Sequence, residues 1–547
     1  MAAIVGLFLA LVGAAGLTFL KTTEQSTVNV AMPAGSEHSK ILRIPAEVGG
    51  QDGLDLTIDG QGPWNVSLIR SLDVKAWAGD AQQTVVSRAG GDLSASTEGT
   101  AAAAFAPAST DIFATTAVQR GRTVQHIDPV RDNQRYDVVI TGSEGAPLPS
   151  SLTVSKDVEV AQPWGLPLLI VGLLVALGSL LAWLLMRRKG DDDRLAAGSS
   201  PRAREAVRVA RGSHRAQAVS PLLAMALAGS FAVPAAVSTS PAPSAASPSA
   251  SAGAQDYTPT VSGQQLERIV KAVSADAEKA DKAQSASALT GRFTGAAKTL
   301  RAGTYAMRAK NSSIAPPAPI ATKIVTSMVP FSDEFPRSVV AVVQDGPQDL
   351  PVALVLEQKR AQDDYVLRDT MSMLPGAKFP KPDNEPGSRA VGLDDGRGVL
   401  TPARSLQALA DVLDHPEGPS KGAFESTSFQ KDLIDFQKSV TKNAGGVNST
   451  IRQAVDWNEA RAFPTADGGV MVFGYLNMLY TASPKESGGS VQLSGTPYEK
   501  LVGAASVKGP VEVSYGQSVM MYVPKRGSGE KVVVTGVDQD LIGARKG

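Results

Sequence analysis

Three uncharged apolar runs divide the chain, and residues 21–162, between the first two, alternate apolar and polar residues with the period of strands. Residues 1–20, MAAIVGLFLALVGAAGLTFL, form the first run. Residues 164–186, WGLPLLIVGLLVALGSLLAWLLM, form the second and reach the ~20 residues that a helix needs to cross the hydrocarbon core. Residues 219–237 form a weaker third run, rich in Ala and interrupted by Pro221 and Pro234. The loop 187–216 holds nine basic residues, from Arg187 to Arg215, against four acidic ones. A short basic loop of this kind stays in the cytoplasm, so residues 21–162 and 256–547 are expected outside. The alternative leaves 219–237 uninserted and 256–547 in the cytoplasm. The first run fits either a signal peptide or a signal anchor. It is followed by KTTEQ rather than an A-x-A site, which favours the anchor.

Residues 21–162 read as β-rich. Leu54, Leu56 and Ile58 alternate in LDLTID, Val66 and Leu68 follow in NVSL, and Leu72, Val74 and Ala76 in LDVKA. Period-two runs between Gly, Pro, Asn and Asp turns predict an antiparallel sandwich or barrel. Residues 92–116, rich in Ala, Ser and Thr, are expected to be irregular, and Trp64 and Trp77 to pack in the core. Residues 238–255, STSPAPSAASPSASAGAQ, have the composition of an extended linker reaching at most ~55 Å.

Residues 256–547 predict an α+β domain. Leu266, Ile269, Val270 and Val273 have the i, i+3, i+4, i+7 spacing of an amphipathic helix over 263–282. Strands follow in SVVAVVQ, PVALVLEQKR and YVLRDTMSML. Thr401 caps a second helix over 402–413, and Phe429, Leu433, Phe436 and Val440 mark a third. Strands return in NSTIRQAV, ARAFPT, GVMVFGYLNMLYTA, VEVSYG, SVMMYVP and KVVVTGV. Helix then strands occurs twice, which predicts two similar halves. With about 290 residues, this part is expected to fold as a separate soluble unit.

Composition removes several chemistries. Lys plus Arg equals Asp plus Glu at 53 each, so no global charge draws the chain to nucleic acid, and no nucleic-acid partner is expected. There is no cysteine, which excludes disulfides, thiol nucleophiles and Cys-ligated metals. His38, His126, His214 and His415 are scattered, without HExxH or a pair at metal spacing. Asp394-Asp395 lacks the alternating oxygen ligands of a calcium loop and reads as a turn. Asp191-Asp192-Asp193 reads as a charge-balanced turn beside the membrane, and Asp467-Gly468-Gly469 as a hairpin turn. No GxSxG, SxxK or phosphate loop occurs. No catalytic, cofactor-binding or metal-binding residue is named, and no cofactor is expected. Met471, Phe473 and Tyr475 share one strand face, which could line an apolar pocket but is expected to pack in the core.

The C-terminal part resembles an uncharacterised actinobacterial family of membrane-anchored or lipoprotein extracytoplasmic domains of unknown function. The resemblance rests on FPRSVVAVVQ, YVLRDTMSMLPGAKFP, TPARSLQALADVLDHP, FPTADGGVMVFG and MMYVPKRGSGEKVVVTGV. It implies a tethered extracytoplasmic domain and carries no site residues. LLAMALAGS has the form of a lipoprotein signal, but Ser230 stands where the lipidated cysteine belongs, and a hydroxyl cannot form the thioether. Helix followed by curved sheet is similar to NTF2-like or cystatin-like halves. The expected protein is a multidomain membrane protein: an N-terminal all-β sandwich-like domain, transmembrane helices and a C-terminal α+β domain. Its expected role is binding or scaffolding in the cell envelope, with the membrane and an envelope lipid, glycan or protein as partners. The rival is a hydrolase or transferase of envelope polymers that uses Asp/Glu pairs.

Overall fold

The computed structural model describes residues 2–196 and 258–547, apart from short internal stretches of which 103–109 is the longest. The basic loop beyond 196, His214, the run 219–237 with Ser230, and the linker 238–255 lie outside the described residues. The chain forms two compact units: one from Met1–Glu24 and Val158–Gln255, the other from Gln25–Asp157 and Asp256–Gly547.

The first unit is a pair of apolar helices, Ala2–Thr18 and Gly165–Ala196. Within the second helix, Gly165–Leu185 is long and apolar enough to cross a membrane. Gly6, Ala10 and Gly13 make one face of the first helix, and Gly165, Gly172 and Ala176 oppose it from the second. The seven-residue repeat of small residues lets the backbones nearly touch, as in close-packed apolar helix pairs. A Cβ on Gly13 would stand 2.3 Å from the backbone nitrogen of Leu169, so no larger residue fits. Leu7, Leu11, Leu173 and Leu177 point outward.

In the second unit, residues 25–157 build two sheets over one apolar core. The four-stranded sheet runs Lys21–Val30, Ser151–Ala161, Leu54–Asp59, Thr123–Ile127. The other centres on Gln134–Gly142, between Ile41–Ile44 and Trp64–Arg70. Leu42, Ile44, Leu56, Ile58, Val66 and Val138 fill the space between them, with Trp64 buried beside them. Three expectations need correction. The pair Ile41–Ile44 and Gln83–Ala89 is parallel. Asp92–Glu98, expected to be irregular, is a strand against Gln83–Ala89, because Leu93 and Ala95 alternate inward. LDVKA is not a strand. Val74–Ala78 is a short helix whose Val74, Trp77 and Ala78 bury one face at helical spacing, stopped by Gly79 at φ +55°.

Residues 258–547 form two successive helix-then-sheet halves. Helix Gly263–Ala283 starts with a capping box between Ser262 and Gln265. Strands Ile324–Met328, Arg337–Val343, Val352–Gln358 and Val366–Ser372 follow as an antiparallel meander. Helices Pro402–Asp414 and Ser428–Lys442 precede the second meander of Val447–Pro464, Val470–Pro484, Val511–Val523 and Val533–Lys546. NSTIRQAV and ARAFPT are one strand broken by a bulge between Asp456 and Arg461, and VEVSYG and SVMMYVP are also one. The sheets meet edge to edge: Leu374 donates its N–H to the carbonyl of Thr535 at 2.9 Å, and Met373 bridges Gly536.

Residues 256–547 fall in the same compact unit as residues 25–157, and buried ion pairs join the two parts. Asp73, from the β-rich part, lies buried between Arg70 and Arg337. Arg70 donates from Nε to Oδ2 and from Nη2 to Oδ1, both at 2.9 Å; Arg337 Nη1 donates to Oδ2 at 2.9 Å and its Nη2 to Oδ1. Arg70 also donates to the carbonyls of Thr258, Pro259 and Ser332. The Arg337 guanidinium stacks 3.9 Å from the Phe335 ring. Burial pushes the Asp73 carboxyl up, but the Arg70 charge and the hydrogen bonds from Arg337 and Arg70 outweigh it and hold the group below the usual carboxylate range. A second buried carboxylate, Asp111, accepts from Arg292 and from the Tyr365 N–H. Gln362 donates to the carbonyls of Ala76 and Trp77, and Ala361 packs into the Trp77–Phe113 cluster.

Asp73→Asn should therefore destabilise both parts together, by about 3–5 kcal/mol, because two buried guanidinium groups lose their counter-charge. Urea unfolding followed at Trp77 and at Trp457 should shift by the same amount; a shift at Trp77 alone would show that the parts unfold independently. The sign with pH follows from the lowered value. The Asp73 contribution is complete above the unfolded carboxylate range and is lost as pH falls through the folded value.

Candidate functional site

The helix Gly295–Lys310 lies over the seam between the two sheets. Its buried residues are Ala296, Ala297, Leu300, Arg301, Thr304, Tyr305 and Met307, and the polar groups among them weaken the apolar stripe. Glu459 accepts from the Ala296 N–H at 3.4 Å, placing a carboxylate at the positive end of the helix. Gly303 sits against strand Val533–Lys546: a Cβ there would lie 2.7 Å from Ile542 Cγ2. Leu300 packs on Tyr475. The helix is thus fixed on the last strand, and a cavity of about 280 Å³ remains between them.

A strap of four residues, Pro316-Pro317-Ala318-Pro319, lines one side of this cavity. Pro fixes φ and lacks an N–H, so the strap holds an extended form without needing sheet partners. It is tied down by Arg301, which donates from Nη2 to the carbonyl of Ala318 at 2.8 Å, and by Ser274, which donates to that of Ile320 at 2.8 Å. Both Asp281 oxygens accept from Arg301 Nη1, and Asp281 also accepts from the Tyr305 hydroxyl. Phe293, Leu300, Val343, Val352 and Leu354 add an apolar wall.

The opposite wall is acidic. Asp538 and Asp540, two residues apart on the last strand, fall on one face, with Thr370 and Ser372 beside them. Asp538 joins the two sheets: it accepts from the Thr370 hydroxyl at 3.1 Å and from the Ser372 N–H at 3.2 Å. Burial pushes its carboxyl up, against the pull of those hydrogen bonds. Asp540 has no hydrogen-bond or ion-pair partner among the described residues. Burial, and then the charge of Asp538, push it up to about 6. Behind the wall, fully buried Asp369 accepts from the Ser518 hydroxyl and the Thr370 N–H, and burial raises it well above the usual range.

The residues singled out from sequence lie elsewhere. Met471 and Phe473 pack between the two sheets, and Tyr475 packs under Leu300. His126 sits on the surface, its Nδ1 2.7 Å from Asp55 and its Nε2 3.2 Å from Asp128; the hydrogen bond with Asp55 raises its pKa. His38 lies in a short 3-10 turn, and His415 closes its helix 3.6 Å from Asp411. Asp395 accepts from Arg397, and Asp467 accepts from Thr465, Gly469 and Tyr522, so both hold turns. Among the described residues no three His, Cys, Asp or Glu come together as a metal site. Asp538, Asp540 and the helix above them were not found from sequence. Period alone does not carry the strand through them, because bulges at Thr535 and Ile542 break the alternation that begins in KVVVTGV.

The raised value of Asp540 makes its ionisation unfavourable in the folded state. Stability should fall as pH rises from the unfolded carboxylate range to about 6, by up to about 3 kcal/mol. Asp540→Asn should raise the thermal midpoint at pH 7.5 and leave it nearly unchanged at pH 4. An equal change at both pH values would show that Asp540 titrates normally.

No curated protein and no solved structure matches the chain. A family model described as a domain of unknown function, DUF8094, matches residues 257–546, just over half of the 547 residues. The match begins one residue before the first described residue of the C-terminal halves, takes in the whole cavity wall and ends at the last strand; the chain belongs to the DUF8094 family.

Proposed function

We propose that the protein is a membrane-anchored cell-envelope protein that binds a ligand in the cavity under the proline strap and does not transform it. The cavity itself carries this reading. It is semi-enclosed, has an apolar wall facing a small polar one, and sits where two halves meet, the usual place for a binding site. Helices laid over a meander in each half, in the NTF2-like or cystatin-like manner, make a cup suited to that task. An envelope lipid, glycan or protein would be the partner.

The anchor is the helix pair. The basic residues after Met186 favour a cytoplasmic location for that end of the second helix. The β-rich part then lies outside. Residues 256–547 share buried ion pairs with it, so they belong on the same side. The chain between them must cross once more, and 219–237 is the apolar run available in the sequence for that crossing. The protein has no cysteine of its own, which makes labelling clean. Gly253→Cys should react with a membrane-impermeant maleimide on intact cells, and Arg202→Cys only after lysis. Protection of residue 253 in intact cells would overturn the topology.

The rival, an acid/base hydrolase, has one observation in its favour: two raised carboxylates share the cavity. Against it, Asp538 is spent on Thr370 and Ser372 and is not free to move a proton. The binding reading is tested on the full chain in detergent with a small-fragment library followed by NMR. Val352→Trp, which fills the cavity from a partly exposed position, should abolish the hits while leaving the thermal midpoint within a few degrees. Fragments that bind the variant equally well would place the site elsewhere.

A further inference from the structure

The charge balance of the cavity narrows what can occupy it, on the reading that it is the binding site. Arg301 is the one cation among the lining residues, and it is already engaged: its Nη1 with Asp281 and its Nη2 with the carbonyl of Ala318. Asp538 keeps two hydrogen bonds from the neighbouring strand. Among the described residues Asp540 is left as a carboxylate without a hydrogen-bond or ion-pair partner, facing a cavity whose other side is Phe293, Val352, Leu354 and the prolines. An anion entering here would meet two carboxylates and no free donor cation. A neutral apolar molecule would cover the wall and leave Asp540 desolvated and unpaired.

We propose that the cavity is a recognition site for a primary alkylammonium group, its nitrogen on Asp540 and its carbon chain against the apolar wall. Such a group supplies what the site lacks, a compact cation with up to three donors on an apolar stem. The volume of about 280 Å³ admits a chain of lysine length and excludes a folded macromolecule. The ammonium can come on a free amine or at the tip of a lysine-like side chain carried by a peptide. Both share one chemistry, and the two arms of the test separate them.

The experiment titrates the full chain in detergent at pH 7.5 with hexylammonium, hexanol and hexanoate, and with an N-acetylated, C-amidated Gly-Lys-Gly peptide. Wild type should bind hexylammonium at least tenfold more tightly than hexanol, with no binding of hexanoate. Asp540→Asn should erase that tenfold preference, Asp540→Glu should keep part of it, and Asp540→Lys should invert it in favour of hexanoate. The peptide binding more tightly than hexylammonium would assign a side-chain source, and the reverse a free amine. Equal affinity for hexanol and hexylammonium, unchanged in Asp540→Asn, would overturn the ammonium site while leaving a binding cavity in place. Binding of none of the probes by a protein with an unchanged melt would overturn both this site and the cavity's role in binding.

Discussion

A buried carboxylate, shared by two arginines that are 267 positions apart in sequence numbering, joins the two parts of the globular unit. Asp73 and Arg70 come from the β-rich part and Arg337 from the C-terminal halves. Removing three ionised groups from water costs several kcal/mol each. That cost is met here by four charge-assisted hydrogen bonds, by three carbonyls on Arg70 and by the Phe335 ring under Arg337. An apolar interface of the same size could slide; planar guanidinium forks on one carboxylate admit one register. Asp111, gripped by Arg292 and Tyr365, fixes a second point. Two fixed points define the orientation of the β-rich part on the C-terminal halves.

The same economy of charge shapes the cavity. Arg301 is used to hold the strap and Asp281, Asp538 to tie the sheets, and of the charged lining residues Asp540 alone is left uncommitted among the described residues. The group that remains available for a ligand is the one that the scaffold does not use.

The sequence was readable wherever apolar residues recur with one clear period. The helix at 263–282, the helix begun by Thr401-Pro402, the meander strands and the Asp467-Gly468-Gly469 turn all appear, because packing enforces that period. Reading failed where burial is achieved by small or charged residues. The helix Gly295–Lys310 hides Arg301, Thr304 and Tyr305 beside Leu300 and Met307, so its amphipathic stripe is faint. Val74–Ala78 looked like a strand because five residues fit either period. Asp538 and Asp540 were not singled out, since only pairing with Val511–Val523 reveals that the strand continues past its bulge. The junction was invisible for a different reason. Nothing local marks Asp73, Arg70 and Arg337 as buried, because each is buried only through the others.

The numbering of the junction also sets an order of events in synthesis. Asp73 and Arg337 are separated by 264 residues, which a ribosome adds in roughly ten to fifty seconds. During that interval the β-rich part has a finished interior but an open face, with Trp77, Phe113 and an arginine–carboxylate pair awaiting their cover. The nascent chain must keep this face from wrong partners until its own second half arrives. A protein built this way matures from its end backwards, and a stalled or truncated chain would expose the surface that the finished one never shows.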